Sequence, residues 1–370
     1  MNASSWLRLK AMIVKELWAV LRDPRARITL IVPPLLQLFL FGFASTLEVK
    51  NITLGIYNQD RGAWSREVIN AVAGSPNVRH LLVLDSPQAV ARAIDNRDVI
   101  AAMIFNANFS RDVAAHSSTQ VQVVFDGRRS NAAQIVNGYL GQIVASVGAE
   151  ISASPQTPHG SIVTNWFNPN LDYLWFTMPA LIVTIAALSV LSVTSQSIAR
   201  ERELGTFDQL LVSPLRVYEI LVGKVAPALL LGTFNATIYL LLIPTVFGVP
   251  FTGSVLIFYL ALFAYLIALI GIGLLVSIVA RTQQQAFLGM FLTAIPLIMT
   301  SGYAAPIDNM PGWLQVIAQA NPLAHFLVII EGVFLKGMPL GDVLAALWPL
   351  LVIAAVALTG AALLFRSKLE

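Results

Sequence analysis

Cysteine is absent from this 370-residue chain, which excludes disulfides, thiol catalysis and Cys-based metal sites together. Charge is scarce: 12% of residues are Asp, Glu, Lys or Arg, against about 25% in an ordinary soluble domain. With 56% hydrophobic residues, the chain is an integral membrane protein by composition. The net charge of +3 is small, and no basic run is long enough to imply a nucleic-acid partner. His80, His116, His159 and His325 stand singly, and isolated histidines read as surface or hydrogen-bonded side chains rather than ligands. A phosphate loop is missing too. Gly223-Lys224 lacks both the upstream glycine and the following hydroxyl that such a loop needs. HExxH and GxSxG are also absent, so the chain is expected neither to hydrolyse ATP itself nor to act as a hydrolase.

What is present in quantity is long apolar sequence. A hydrocarbon core of about 30 Å needs roughly 20 apolar residues of helix. Six runs qualify: 28–46, 174–197, 225–247, 255–280, 286–303 and 343–365. None of them holds Asp, Glu, Lys, Arg or His. A seventh stretch, 323–335, contains His325 and Glu331 and is too short to cross; it reads as part of a re-entrant or interfacial segment, 304–336, on the outer side. Bases gather at one set of span ends: Arg8, Lys10, Lys15, Arg22, Arg25 and Arg27, then Arg200, Arg202, Arg216 and Lys224, then Arg281, then Arg366 and Lys368. The short loop 248–254 has none. The positive-inside rule therefore predicts six transmembrane helices with both termini in the cytoplasm and a short cytosolic tail, 366–370.

The run 28–46 begins too far from Met1, and lacks the small-residue cleavage site, to be a signal peptide. Before it, Trp6, Leu9, Ile13, Leu17, Val20 and Leu21 recur with helical period. Residues 1–27 are accordingly expected to form a cytosolic amphipathic helix lying in the inner interface, turned into the membrane at Asp23-Pro24. Residues 47–173 are soluble in composition. β-rich runs at 52–57, 79–84, 99–105 and 120–125 alternate with helical patterns at 64–73, 87–95, 109–116 and 131–150. That alternation predicts a small α/β extracytoplasmic domain inserted after the first span.

The spans offer only uncharged polar groups, among them Gln37, Ser192, Thr194, Asn235 and Thr237. They can hydrogen-bond helix to helix or line a pathway for amphipathic cargo. Ion-coupled carriers place ionisable groups at membrane depth, so here the energy for uphill movement has to come from elsewhere. The candidate is the charged segment 198–224, ARERELGTFDQLLVSPLRVYEILVGK over 199–224, wedged between two apolar runs. Glu201, Arg202, Glu203, Gly205 and Thr206 can be read as a solvated turn with Gly205 as helix C-cap. They can equally be read as a docking knob, because the apolar Phe207, Leu210 and Leu211 flanked by charge favour a groove on a partner.

At this segment the chain resembles the permease subunits of ABC-2-type ABC transporters, more narrowly the bacterial drug-exporter permeases with a large external domain. The resemblance runs nearly end to end. It is carried by KELWAVLRDPRARITLIVPPLLQLFLFGFA at 15–44, Gly55-Ile56-Tyr57-Asn58-Gln59-Asp60, Phe125-Asp126-Gly127, RERELGTFDQLLVSPL at 200–215 with Gly223-Lys224, SIVARTQQQA at 277–286 and SGYAAPIDNMP at 301–311. It implies that Glu203, Gly205, Thr206, Gln209, Leu210 and Pro214, with Glu201, Arg202 and Phe207 around them, form a coupling helix docked on a separate ATPase subunit. Lys15-Glu16 would flank it, and Pro306, Met310 and Pro311 would shape an outer gate. Glu331, beside that gate, departs from the family pattern, which often has a base there. Further implications are a second permease copy or paralogue, no cofactor on this chain, ATP and Mg on the partner ATPase, a membrane-lipid environment in the bacterial inner membrane, and a periplasmic adaptor in some relatives.

The function expected is thus export of drug-like or lipid-like molecules as the non-catalytic subunit of an ATP-driven transporter. An alternative from another class is a membrane-anchored sensor whose 47–173 domain binds an external ligand and signals through the same loop; five spans beyond that domain exceed what an anchor needs. A secondary carrier is disfavoured by the uncharged spans.

Overall fold

The computed structural model describes residues 3–22, 24–44, 51–115, 117, 119–151, 167–168, 172–207, 209, 212 and 215–368. The chain divides into two compact units, Met1–Ser45 with Asn165–Glu370, and Thr46–Thr164.

Among the described residues, the smaller unit is a four-stranded sheet with helices. Strands β1 (Ile52–Asn58), β2 (Val78–Val83), β3 (Ala101–Phe105) and β4 (Gln122–Phe125) lie in the order β2-β1-β3-β4. Both β2 and β3 run parallel to β1, and β4 is antiparallel to β3. Helix α3 (Ala63–Ala73) joins β1 to β2 and α4 (Pro87–Asp95) joins β2 to β3; α5 (Phe109–Ala114) and α6 (Ser130–Ile151) follow. Strand and helix positions agree within three residues with the sequence patterns, apart from residue 116, which lies outside the described residues. The period-2 pattern serves two cores. Ala101, Met103 and Phe105 pack with α3, α5 and α6, whereas Ala102 and Ile104 pack with α4. At Gly55 a Cβ would stand 2.7 Å from the Leu84 side chain, so the glycine admits Leu84 over the sheet.

The larger unit is helical: α1 (Ala3–Leu21), α2 (Pro24–Ala44), α7 (Tyr173–Glu203), α8 (Val217–Phe247), α9 (Val255–Val279), α10 (Gln283–Met299), α11 (Gly312–Gln319), α12 (Pro322–Glu331) and α13 (Leu340–Ser367). A π turn over Gly332–Lys336 continues α12. Among the described residues, four helices, α7, α8, α9 and α13, are long and apolar enough to cross a membrane, and a fifth if α11 and the α12–π segment, bent by 77°, form one broken span. The chain is therefore multi-pass. The apolar part of α2, Ile31–Phe43, and the 17-residue α10 are shorter than that measure. Length and composition alone thus do not give the six spans expected.

The charged segment 198–224 is less a loop than expected. Helix α7 runs on to Glu203 and α8 starts at Val217. Hydropathy marks where apolar sequence stops, not where helical hydrogen bonding stops, and Arg and Glu are good helix formers. Small residues set the crossings. A Cβ at Gly273 would overlap the Thr194 hydroxyl, one at Gly232 would meet Val190 and Leu266, and one at Gly223 would lie 2.3 Å from Met12. Such close backbone approach is how apolar helices gain contact where lipid offers no hydrophobic drive.

Candidate functional site

Three helix segments converge on one cluster of charge. Helix α1 brings Lys15 and Glu16, the last turns of α7 bring Ser197 and Glu201, and the second turn of α8 brings Lys224. Lys15 Nζ lies 3.0 Å from Glu201 Oε1 and 3.4 Å from Glu16 Oε1. Lys224 Nζ lies 3.4 Å from Glu16 Oε1 and 3.0 Å from Glu201 Oε2, the latter a charge contact without hydrogen-bond alignment. It also donates to the carbonyl and the hydroxyl of Ser197, each at 3.4 Å. Only 2% of Lys224 is exposed. A lone ammonium so deep would lose its proton or its place; two carboxylates and two lysines make the burial tolerable. Burial pulls the Lys15 pKa down, but the hydrogen bond and charge of Glu201, then Glu16, outweigh it and leave it above the ordinary lysine value.

A second buried acid lies one turn earlier on α8. Glu219 is fully buried, accepts the Arg216 backbone N–H at 3.0 Å, and pairs with Arg8 of α1 at 3.3 Å. It thereby closes one of the orphan donors at the α8 N-terminus. Helix α1 is pinned to α8 by Arg8–Glu219 and to both α7 and α8 by the Lys15–Glu16–Glu201–Lys224 cluster.

The end of α7 is a full Schellman stop. Gly205 has φ +71°, its N–H donates to Arg202 O at 3.1 Å, and Thr206 N–H donates to Glu201 O at 2.9 Å. Glu203 accepts the Gln283 N–H at 2.7 Å and so caps α10. Arg202 donates to the Ile278 and Ala280 carbonyls at 2.6 and 3.2 Å, closing the end of α9, and its guanidinium sits 4.8 Å over the Phe207 ring. Phe207 also packs edge-on against Phe365 of α13. Each of these side chains therefore has a bond or contact inside the chain. Gln209 is exposed, while Leu204 and Val212 present 62% and 86% of their surface. Leu210 and Pro214 lie outside the described residues.

Elsewhere the expected site residues separate. Thr194 bonds back to the Val190 carbonyl at 2.8 Å, and Ser192 accepts from Gln196. Thr237 bonds to Thr233 O at 2.7 Å and meets the Tyr259 hydroxyl at 2.8 Å. Gln37 is half-buried. Asn235 is 2% exposed, and its Nδ2 has no partner. Pro306 and Pro311 are exposed and precede the turn Ile307–Asn309 and helix α11, while the Met310 carbonyl accepts from Gln315 at 2.9 Å. Glu331 ends α12 with Oε1 buried and unpartnered. In the α/β unit, the stretch 58–62 and Asp126 are held internally. Ser110 Oγ donates to the Asp60 carboxylate and accepts from Trp64 and Ser65 N–H, capping α3. Asp126 holds Arg128 at 2.7 Å, and Arg128 closes the α4 end through Ile94 O at 2.6 Å.

Sequence reasoning named Lys15, Glu16 and Glu201 but missed Arg8, Glu219 and Lys224 as members. The signal was there: in VYEILVGK, an acid and a base interrupt an otherwise apolar helix, a pattern that demands partners.

The model of the family described as "ABC-2 family transporter protein" matches residues 25–363. The chain is 45% identical over 363 residues to the probable multidrug ABC transporter permease YbhR of Escherichia coli (strain K12), covering 98% of this chain and 99% of that one. It is 29% identical to the probable multidrug ABC transporter permease YbhS of the same organism, over 90% of each chain. Its likeness to that organism's inner membrane transport permease YhhJ is 31% over 71% of each.

Proposed function

The chain belongs to the ABC-2 family of transporter proteins, a multi-pass, non-catalytic permease, and from that premise we propose that it moves drug-like or amphipathic molecules outward from the cytoplasm or inner membrane. A separate ATPase subunit drives it from the cytoplasmic side. On this reading the ends of α7 and α8 face the cytoplasm, residues 204–216 dock on the ATPase, and a second permease copy or paralogue completes the pathway. The extracytoplasmic position of the α/β unit belongs to the same proposal.

The observation that carries it is the buried charge cluster. It ties the start of the chain to both helices flanking the docking segment, so a push there is delivered to α1, α7 and α8 as one body. Buried, mutually paired charges resist independent sliding because separating them costs several kcal/mol. Exposed Leu204 and Val212 on the segment supply apolar surface for a groove. The names of the relatives, probable multidrug permeases among them, support that cargo class. The sensor alternative is weakened by the α/β unit itself. Beyond the carboxyl ends of β1 and β3, where such sheets bind ligands, Asp60 accepts from Ser110 and from the Gly62 N–H, so these polar groups are already engaged.

The test is purification of tagged chain from native membranes, followed by identification of partners and an ATPase assay on the eluate. An ATPase subunit is expected to co-purify, and Val212→Asp is expected to lose it while the chain keeps its unfolding temperature. Absence of any ATPase under gentle detergent, or full retention by Val212→Asp, would count against the docking assignment.

A further inference from the structure

We infer that the outward face of α1 is a binding surface for anionic phospholipid headgroups. Two arcs of this helix differ in kind. Leu9 and Met12 are buried, with Met12 seated against Gly223 of α8, and Arg8, Lys15 and Glu16 are engaged in the ion pairs with α7 and α8. The opposite arc carries Leu7, Val14 and Trp18, exposed by 66%, 40% and 51%. A step of about 100° per residue gathers these three into a strip about 40° wide. Lys10 falls on one flank of the strip and Arg22 on the other.

An apolar strip between cations is the arrangement that lies on a bilayer, with indole at headgroup depth and bases at the phosphates. The charge balance selects the headgroup. Residues 1–27 hold six bases, Arg8, Lys10, Lys15, Arg22, Arg25 and Arg27, against two acids, Glu16 and Asp23. Arg8 and Lys15 are spent on Glu219, Glu16 and Glu201. Among the described residues, Lys10 and Arg22 meet no carboxylate. Arg22 instead lies 4.7 Å over the Trp18 ring, an amphipathic pair presented outward. Each base near an anionic surface is worth about a five-fold preference over a neutral one. The same helix carries the charge cluster on its inner arc, so lipid charge would set the angle at which the cluster is held.

The inference rests on the membrane reading of the chain, not on its cargo or energy source, and its test needs neither. The full chain is placed in nanodiscs containing brominated phosphatidylglycerol or brominated phosphatidylcholine at equal mole fraction. The Trp18 signal is taken as the difference in quenching between wild type and Trp18→Phe. Stronger quenching by the anionic lipid is expected, with Lys10→Gln plus Arg22→Gln bringing the two lipids level. Equal quenching by both lipids in the wild type overturns the proposal. So does a Trp18 that neither lipid reaches, whether in the chain alone or once a co-purified ATPase subunit is bound; that last result would assign the face to protein.

Discussion

The two units differ in where buried polar groups go unpaired: the helical unit satisfies Thr194, Ser277 and Asn321 as fully as the α/β unit satisfies its own, but leaves more atoms bare. In the α/β unit the buried Asp60, Ser65, Ser110 and Asp126 are bonded to backbone or to one another; the Thr119 hydroxyl is the exception among the described residues. In the helical unit Thr177 Oγ1, Asn235 Nδ2, the Tyr239 hydroxyl and Glu331 Oε1 are buried without partners, while charge is concentrated at the joined ends of α1, α7 and α8. A unit whose polar groups are satisfied specifies one arrangement. A unit with bare polar atoms in its core pays in stability for something else, and functional sites are where such departures from local consistency are expected. The contrast places most of the unpaired buried atoms, and the four-residue ion-pair cluster, in the helical unit.

The strongest blow to the contrast is Lys224→Met. It leaves Glu16 and Glu201 with Lys15 as their remaining cation, and the expected loss is about 3–5 kcal/mol. Thermal unfolding of the purified chain in detergent measures it, and adding Glu201→Leu should recover much of the drop. An unchanged midpoint for Lys224→Met would remove the cluster as the pin between helices.

Ser110→Ala probes the satisfied unit. It strips one donor from Asp60 and the cap from Trp64 and Ser65, at an expected cost of about 1–3 kcal/mol. Burial pushes the Asp60 carboxyl up, but hydrogen bonds from Ser110, Ser65 and Gly62 outweigh it and hold its pKa below the ordinary aspartate value. A carboxyl lowered in the folded state stabilises fully above the unfolded pKa, and that contribution disappears as pH falls through the folded one. Hydrogen exchange on the full chain should therefore show β1 and α3 amides keeping protection to below about pH 4 in the wild type. In Ser110→Ala the protection should fail at higher pH. Equal profiles would mean that the network adds nothing.

The smallest effect should come from Asn235→Leu. Removing an amide that already lacks a partner leaves no new orphan, so stability should stay within about 1 kcal/mol or rise. A loss as large as that of Ser110→Ala, read by the same unfolding midpoint, would show that Asn235 is satisfied after all and erase the contrast.

Much of the α/β unit was legible in the chain because its signals are local. The unbroken apolar run 101–105 marks a strand buried on both faces, Ser86-Pro87 announces a helix start, and Gly74 a stop. The strand order was not legible, since parallel pairing of β1 with both β2 and β3 joins residues that share no turn. The helical unit shows the same division. Apolar runs disclosed most of the long helices, but α7 and α8 overran them at 198–203 and 217–224, where charged residues continue the helix past the apolar sequence. Gly205 as a C-cap was readable from type and place. That Glu203 caps α10 and Arg202 closes α9 was not, because both partners lie about eighty residues away.

Sequence alone determined that this is a membrane chain without thiols or a phosphate loop; composition and motif chemistry fix those points whatever the fold. Tertiary structure decided which charges meet. Lys15, Glu16, Glu201 and Lys224 are scattered over more than two hundred residues, and only the packing of α1 against α7 and α8, with Met12 lodged at Gly223, brings each ammonium within 3.4 Å of both carboxylates. Ion pairing acts over a few ångströms of space and is indifferent to distance along the chain, so no local pattern could have drawn that cluster.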